Sequence, residues 1–500
     1  MILAPINRVN LPAVVLIIIW SQHLLNCSYA NESGEPPNFL VFVADDLNKE
    51  YYGCYGHPNT ASPTVDRLAA EGMVFDSAFT GQAICATSRS MLYTGKYPFR
   101  NGAVMNHTAV YEGTRTICHH LQELNYDVIL CGKSHVRPAS AFPWTQAILH
   151  PIAKGDQKTN EDRTMPLDKL ESFFQQKGGP KRPFCVVASS HYPHGEHPQQ
   201  TSFSADSVSL TRFHVDTPRN RKSEAHFNQA IKNSDDELER ALALLDKYDH
   251  ADNTIVIFVS DHGRFGKWTV YDSGLNVPLV VRWPSVVKAG SRSDALVSFA
   301  DVLPTMLEAA GADPVSDFDG RSFLPVLKQT ARSHQKYVYG VMINQGIIDA
   351  HVFPGRTIRS KQYRYIRNYN TLAAVKRREV AGKKHTEILR MGAQQHPDIP
   401  EEELFDVIAD PQEKHNLASD PTHEEIKTKL KQELQNWLVA QNDFQQDEDA
   451  MPLLATKKQF RLDILGHPKN KVELPERLKN SLDGYEFYRP EPLATTVSEP

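Results

Sequence analysis

Three aspartates stand where carboxylates are costly unless something positive answers them. Asp45 and Asp46 follow the apolar run Phe39-Leu-Val-Phe-Val-Ala44, and Asp261 follows Ile255-Val-Ile-Phe-Val259 and Ser260. Adjacent carboxylates at a strand end repel each other and lose hydration. Hard oxygen ligands of this kind suit Ca2+ or Mg2+ rather than zinc. A turn cap at Asp46 and backbone hydrogen bonds at Asp261 are the structural alternatives, but three carboxylates at one edge favour a cation. A second cluster is Cys85-Ala-Thr-Ser-Arg89-Ser-Met-Leu-Tyr-Thr-Gly95. It reads as a short helix with Gly95 at its C-terminal cap. Cys85 then sits at the helix N-terminus, where free N–H groups and the positive dipole end favour an anion. Arg89, one turn on, shares that face and can add a bidentate contact to an oxyanion. A buried thiol beside a surface arginine is the plainer alternative. Two more apolar runs end in basic residues: Val128–Cys131 leads into Gly132-Lys133-Ser134-His135, and Phe184–Ala188 into Ser-Ser-His191-Tyr-Pro-His194.

The elements that must position these groups are legible as runs. Continuous rather than alternating apolarity marks strands covered on both faces, as in a mainly parallel sheet. Between them lie helical patterns. Ser62-Pro63 caps and starts one, Val65, Leu68 and Ala69 form its stripe, and Gly72 ends it. A longer one is expected from about Asn228 to Lys247, with Ile231, Leu238, Ala241, Leu242 and Leu245 on one side. The alternation predicts an α/β fold, a large mostly parallel sheet sandwiched by helices. Ligands of such sheets bind beyond the carboxyl ends of the strands, where the polar residues fall.

After residue 345 the texture changes. Thr357–Arg367 alternates as a strand of a half-exposed antiparallel sheet would, a charged stretch covers Val375 to Gln395, and an amphipathic helix is expected near Glu424–Val439. This predicts a catalytic domain over residues 37–345 and a smaller C-terminal α+β domain over 346–500, with an antiparallel sheet and a wrapping tail. Arg359, Lys361 and Arg364 either face an anionic sugar or belong to a solvated strand face.

The 500 residues suit one large domain plus a smaller one. With 40% hydrophobic and 23% charged residues the chain has a globular balance. Lys plus Arg is 55 against 60 for Asp plus Glu, a net charge of -5, which leaves no basic face for nucleic acid. At the N-terminus Arg8 precedes the apolar run Leu11–Trp20 and then Ser28-Tyr-Ala30, the pattern of a signal peptide over residues 1–30. The run is about half the ~20 residues of a membrane-spanning helix. An exported chain without a stable membrane span is therefore expected. Export leaves Cys54, Cys85, Cys118, Cys131 and Cys185, an odd number, so at least one is free, modified or paired between chains. Buried thiols or a single disulfide account for the other four.

In this order, Ala44-Asp45-Asp46, Cys85-Ala-Thr-Ser-Arg89, Gly132-Lys133-Ser134-His135, Pro193-His194 and Ser260-Asp261-His262-Gly263 resemble the formylglycine-dependent sulfatases of the alkaline phosphatase superfamily. The likeness extends through Lys267-Trp-Thr-Val-Tyr271 to Glu403-Leu-Phe-Asp406. Gly132–Pro138, Ser190–His194 and Asn416-Leu-Ala418 look most like the heparan N-sulfatase (sulfamidase) branch. The resemblance implies that a formylglycine-generating enzyme oxidises Cys85 to formylglycine, an aldehyde hydrate able to attack sulfur. It implies Ca2+, or Mg2+, on Asp45, Asp46, Asp261, His262 and modified Cys85. Arg89 and Lys133 would hold the hydrate and the sulfate oxygens. His135 would act as base when the hydrate collapses. His194 and Lys267 would hold the sulfate and protonate the leaving group, and His191 would touch substrate. The implied substrate is a sulfated carbohydrate, as ester or sulfamate, and family precedent admits a homodimer. Two positions depart from the pattern: Thr87 stands where the modifying enzyme prefers Pro or Ala, and His262 where Asn or Asp is usual. A phosphomonoesterase or phosphonate-ester hydrolase of the same superfamily, and an inactive glycan-binding relative with unmodified Cys85, are the competing readings.

Overall fold

The computed structural model describes residues 35–58, 61–150, 163–176, 179–343, 352–382, 387–446, 454–457 and 485–488. The expected signal segment and most of the expected tail lie outside these residues. Nine strands form one sheet: β1 (Asn38–Ala44), β2 (Met73–Phe79), β3 (Asp127–Gly132), β4 (Gln146–Leu149), β5 (Phe184–Ser189), β6 (Thr254–Ser260), β7 (Asn276–Arg282), β8 (Ser291–Ser293) and β9 (Val297–Ser298). The order is β4-β3-β5-β1-β6-β7-β2-β8, with β9 also on β2. Only β7 runs against its neighbours. The four apolar runs read from the sequence are thus β3, β5, β1 and β6, side by side and parallel, so their carboxyl ends open on one edge.

Both faces of β1 are covered, which explains its unbroken apolarity. Phe39, Val41 and Val43 enter one core, with Met91, Leu92 and Tyr93 of α2 (Cys85–Thr94) and with Val302, Leu303 and Met306. Leu40, Phe42 and Ala44 enter the other, with Val65 and Leu68 of α1 (Pro63–Glu71) and with Phe227, Ile231, Leu238 and Leu245 of the helix Pro218–Lys247. That helix starts ten residues before the expected Asn228, because Thr217 accepts the Asn220 N–H and Pro218 opens the first turn. Its first turns carry Arg219, Arg221 and Lys222 and no apolar stripe, so periodicity missed them. At α1, Ser62 is the N-cap residue but caps nothing with its side chain. The N–H groups of Thr64 and Val65 donate instead to Asp235 of the long helix.

A second, antiparallel sheet follows: β10 (Val338–Met342), β11 (Gly355–Arg359), β12 (Tyr363–Asn368) and β13 (Glu402–Asp406), in that order. Its first strand lies ahead of residue 345. Thr357–Arg367, expected as one half-exposed strand, is a hairpin of β11 and β12 with both faces covered. Ile358, Tyr365 and Leu404 pack on Leu430, Leu434 and Leu438 of the helix Glu424–Gln441. On the other face, Val338, Met342, Ile366 and Phe405 pack on Phe79, Ile84, Val270 and Leu275. The second sheet therefore braces the segment just before Cys85 and the segment just after Lys267. The backbone of Leu454–Lys457 pairs with that of Tyr485–Tyr488. No helix among the described residues is long and apolar enough to cross a membrane.

Candidate active site

At the carboxyl edge of β1, β3, β5 and β6 the sequence-predicted groups converge. Asp45 and Asp46 leave β1, Asp261 and His262 leave β6, and Cys85 is the first residue of α2. Asp45, Asp261, His262, Cys85 and Arg89 are all buried. The Cys85 Sγ lies 3.2 Å from His262 Nε2 and 3.8 Å from Lys267 Nζ. Lys267 donates to both carboxylate oxygens of Asp46, at 3.0 and 2.8 Å, and His262 Nε2 faces Asp46 Oδ1 at 3.0 Å. Lys133 donates to Asp45 Oδ2. His194 Nε2, on a half-exposed ring, stands 3.7 Å from Asp46 Oδ2.

Arg89 is fully buried and its guanidinium lies among the carboxylates, with Nη2 left without a hydrogen-bond partner. Nε donates to Asp261 Oδ2 at 3.0 Å, Nη1 to the Ser189 hydroxyl, and Nη2 lies 3.6 Å from Asp45 Oδ1. The reason is its position one turn into a helix whose start is itself buried, which points the side chain at β1 and β6 rather than at solvent.

Three carboxylates are thus balanced by three cationic side chains, and the pKa shifts follow. Burial alone would raise Asp45, but Lys133 and Arg89 outweigh it and hold the carboxyl well below its usual range. Burial likewise opposes Asp46, and His262 and Lys267 still bring it down. Burial, with the charges of Asp45 and Asp261, pushes the Cys85 thiol up. His135 falls to about 2 through burial and the nearby charges of Lys133 and Arg89. His191 falls to about 3, chiefly through burial and then Lys133.

The residues fit a divalent cation. The ligand atoms of Asp45, Cys85 and Asp261 lie within 4.8 Å of one another, as do those of Asp46, Cys85 and His262. Asp45 Oδ1 is buried there and accepts no hydrogen bond. A lone acceptor among hard oxygen ligands is what such an ion satisfies.

Of the other predicted residues, His191 lies within reach of the charges of Lys133, Asp45 and Arg89. His191 stacks edge-on against His150, ring centroids 5.4 Å apart. Lys361 is exposed and pairs with Asp294, while Arg364 is buried against Asp272 and Glu413. Neither reading of the Arg356–Arg367 segment therefore holds for Arg364, which joins two parts of the chain instead. All five described cysteines are free thiols.

Sequence reasoning missed Ser189, which meets Arg89, and His107, whose Nδ1 lies 3.0 Å from His135 Nε2. Ser189 carried a signal, as a polar residue ending an apolar strand. His107 carried none, because its loop joins the site from far along the chain. Glu237 was missed too: it accepts hydrogen bonds from Ser190 Oγ (2.6 Å) and Met165 N (2.7 Å), tying the long helix to the His191–His194 loop.

A parallel sheet with a carboxylate cluster, a helix N-terminus and basic residues at one edge defines a hydrolase site of the alkaline phosphatase-like fold. Solved structures agree on the fold. A putative sulfatase from Bacteroides thetaiotaomicron superposes with a TM-score of 0.64 at 21% identity, covering 82% of this chain and 93% of that one. The phosphonate monoester hydrolase of Agrobacterium radiobacter gives 0.64 at 18% identity, covering 81% and 96%. The family profile described as Sulfatase matches residues 37–312, more than half of the chain. One described as N-sulphoglucosamine sulphohydrolase, C-terminal, matches residues 260–382. An ulvan-active sulfatase of Formosa agariphila is 40% identical over 455 residues, 90% of this chain and 89% of the relative. The N-acetylgalactosamine-6-sulfatase of Homo sapiens is 25% identical over 358 residues, 60% of this chain and 67% of the relative. The chain belongs to the sulfatase family and is a sulfuric ester hydrolase.

Proposed function

We propose that this protein is an exported hydrolase that removes sulfate from a sulfated polysaccharide through a formylglycine made from Cys85. Formylglycine at residue 85, as its hydrate, would supply an oxygen nucleophile for sulfur and a second hydroxyl to assist release of sulfate. Asp45, Asp46, Asp261, His262 and residue 85 would hold a divalent ion, Ca2+ or Mg2+, which would supply positive charge for the sulfate oxygens. The charge count supports an anionic substrate. Asp45, Asp46 and Asp261 already face Arg89, Lys133 and Lys267, so a bound dication leaves the edge net positive. Lys133 and Lys267 then hold sulfate oxygens with the free N–H groups at the start of α2. His194 and Lys267 donate the proton that the leaving oxygen needs, and His135 takes one up.

The observation that carries this reading is the seat of Cys85. It is at once the first residue of a buried helix, the neighbour of His262 and Lys267, and a member of both groups of converging ligand atoms. The 40% identical relative named as ulvan-active supports a polysaccharide sulfate ester as the first substrate class. The match to the N-sulphoglucosamine sulphohydrolase C-terminal profile supports N-sulfoglucosamine as the second.

Mass spectrometry of the Cys85 peptide from the native host is expected to show the thiol sulfur and a pair of hydrogens replaced by a single oxygen, a change made by a formylglycine-generating enzyme despite Thr87. The purified protein is expected to hydrolyse 4-nitrophenyl sulfate faster than 4-nitrophenyl phosphate, and to release sulfate from ulvan oligosaccharides ahead of N-sulfated heparin disaccharides. An unmodified thiol removes the nucleophile. A phosphate preference moves the protein to the phosphonate-ester hydrolase reading.

A further inference from the structure

His107 and His135 form a pair that the reading above leaves half explained. His135 Nε2 and His107 Nδ1 are 3.0 Å apart, and the rings lie 4.7 Å centroid to centroid at 48°. Both residues adopt left-handed backbone, φ 67° at His107 and 51° at His135, a region that costs a non-glycine residue about 1 kcal/mol or more. Two such residues facing each other are held there by their surroundings. His135 Nδ1 is buried and has no hydrogen-bond partner. The charges of Lys133, Arg89 and Asp45 act on the ring, so it belongs to the edge where the site lies.

We infer that His107 is the positioning residue that fixes His135 as its Nε2–H tautomer, leaving the bare Nδ1 as the proton acceptor of the site. The inference rests on the reading of His135 as the base. A neutral imidazole has one donor and one acceptor nitrogen, and the hydrogen bond made by one decides the state of the other. A hydrogen bond across 3.0 Å needs one proton between two nitrogens. If that proton belonged to His107, His135 would carry its own on Nδ1 and have no lone pair to offer. The proton therefore sits on His135 Nε2, and His107 accepts it on Nδ1 while keeping its proton on Nε2. His107 does for His135 what a carboxylate does for the histidine of a hydrolase triad, but as a neutral acceptor. It orients the ring without adding a negative charge to an edge that must bind sulfate.

Two variants in the matured, metal-loaded enzyme test this. His107→Gly removes the imidazole and accepts φ above zero without strain. His107→Asn keeps an oxygen as many bonds from Cα as Nδ1 and tolerates the left-handed region. With 4-nitrophenyl sulfate, His107→Gly is expected to lose roughly 10- to 100-fold in kcat with KM changed by about twofold or less. His107→Asn is expected to stay within about fivefold of the parent by the same reckoning. A second readout needs no turnover: 15N spectra of histidine-labelled protein should show His135, assigned by its loss in His135→Ala, as a pure Nε2–H tautomer that becomes mixed in His107→Gly. Parent-like kcat in His107→Gly, equal losses in both variants, or an Nδ1–H His135 in the parent overturns the pairing. Full activity in His135→Ala instead overturns the base assignment on which it rests.

Discussion

Arg89 carries its charge with no water to help it. Its Nε meets Asp261 at 3.0 Å and its Nη2 faces Asp45 at 3.6 Å, and all three side chains are fully buried. Replacing it with methionine keeps much of the volume but leaves two carboxylates confronting each other, and breaking a buried pair costs about 3–5 kcal/mol. Arg89→Met is therefore expected to lose that much unfolding free energy in urea with chelator present. Added Ca2+ should recover part of it, since a dication in the same cluster supplies the missing charge. A loss of under ~1 kcal/mol in chelator would mean that the carboxylates do not depend on the guanidinium. The arginine was visible in the sequence as chemistry, one helical turn from Cys85. Its direction was not, because only the packing of α2 against β1 and β6 decides whether the fork faces substrate or the acids.

At the level of elements, the loop after β6 needs holding, because Lys267 must stay near Cys85. Arg364 of β12 does the holding. Its Nη1 donates to the Val270 carbonyl at 2.8 Å, its Nη2 meets Asp272, and its Nε meets Glu413 at 2.6 Å. Arg364→Met strands Asp272 and Glu413, the latter half of a buried pair, at an expected cost of about 3–5 kcal/mol. A roughly 10-fold fall in kcat/KM should accompany it, the order expected of misplacing a catalytic group from a distance. Arg292→Ala is the control: that exposed arginine pairs with Asp76, and such pairs contribute about 1 kcal/mol or less. Equal activity in the two variants would uncouple the second sheet from the Lys267 loop. The four parallel strands were readable because burial on both faces writes unbroken apolar runs. The β11–β12 hairpin was not, because its buried faces carry Arg356, Arg359 and Arg364, whose ion partners Asp443, Asp272 and Glu413 lie far along the chain. Alternating Arg and Tyr then looks like a solvated strand, and the turn at Ser360-Lys-Gln362 adds no glycine or proline to betray it.

Across the whole molecule, acids of opposite tendency set how the fold responds to pH. The helix Pro218–Lys247 buries Glu224 beside Tyr51, Asp235 at the start of α1 and Glu237 against Ser190 and Met165. Burial pushes Glu224 and Glu237 up to about 7 and Asp235 up to about 6, although each accepts hydrogen bonds that oppose the rise. In the unfolded chain these carboxyls titrate near 4. Between roughly pH 4 and 7 the native state therefore holds protons that the unfolded state has released, and stability falls as pH rises through that window. Asp45 and Asp46 work the other way: held below their usual range, they favour the fold above about pH 4, and that contribution is lost as pH falls. The two sets place the expected maximum where their windows meet, at about pH 4 in chelator. Glu224 is the acid to remove, since it lies apart from the Ser190 hydroxyl that Glu237 holds and its partner Tyr51 keeps a hydrogen bond to an amide. Glu224→Gln should flatten the limb between about pH 4 and 7, gaining roughly 2–3 kcal/mol on the parent at pH 8 compared with pH 5. Urea midpoints across pH 4–9 measure it. Parallel curves for parent and variant would mean that Glu224 ionises in the fold as freely as in the open chain, and that the pH limb has its origin elsewhere.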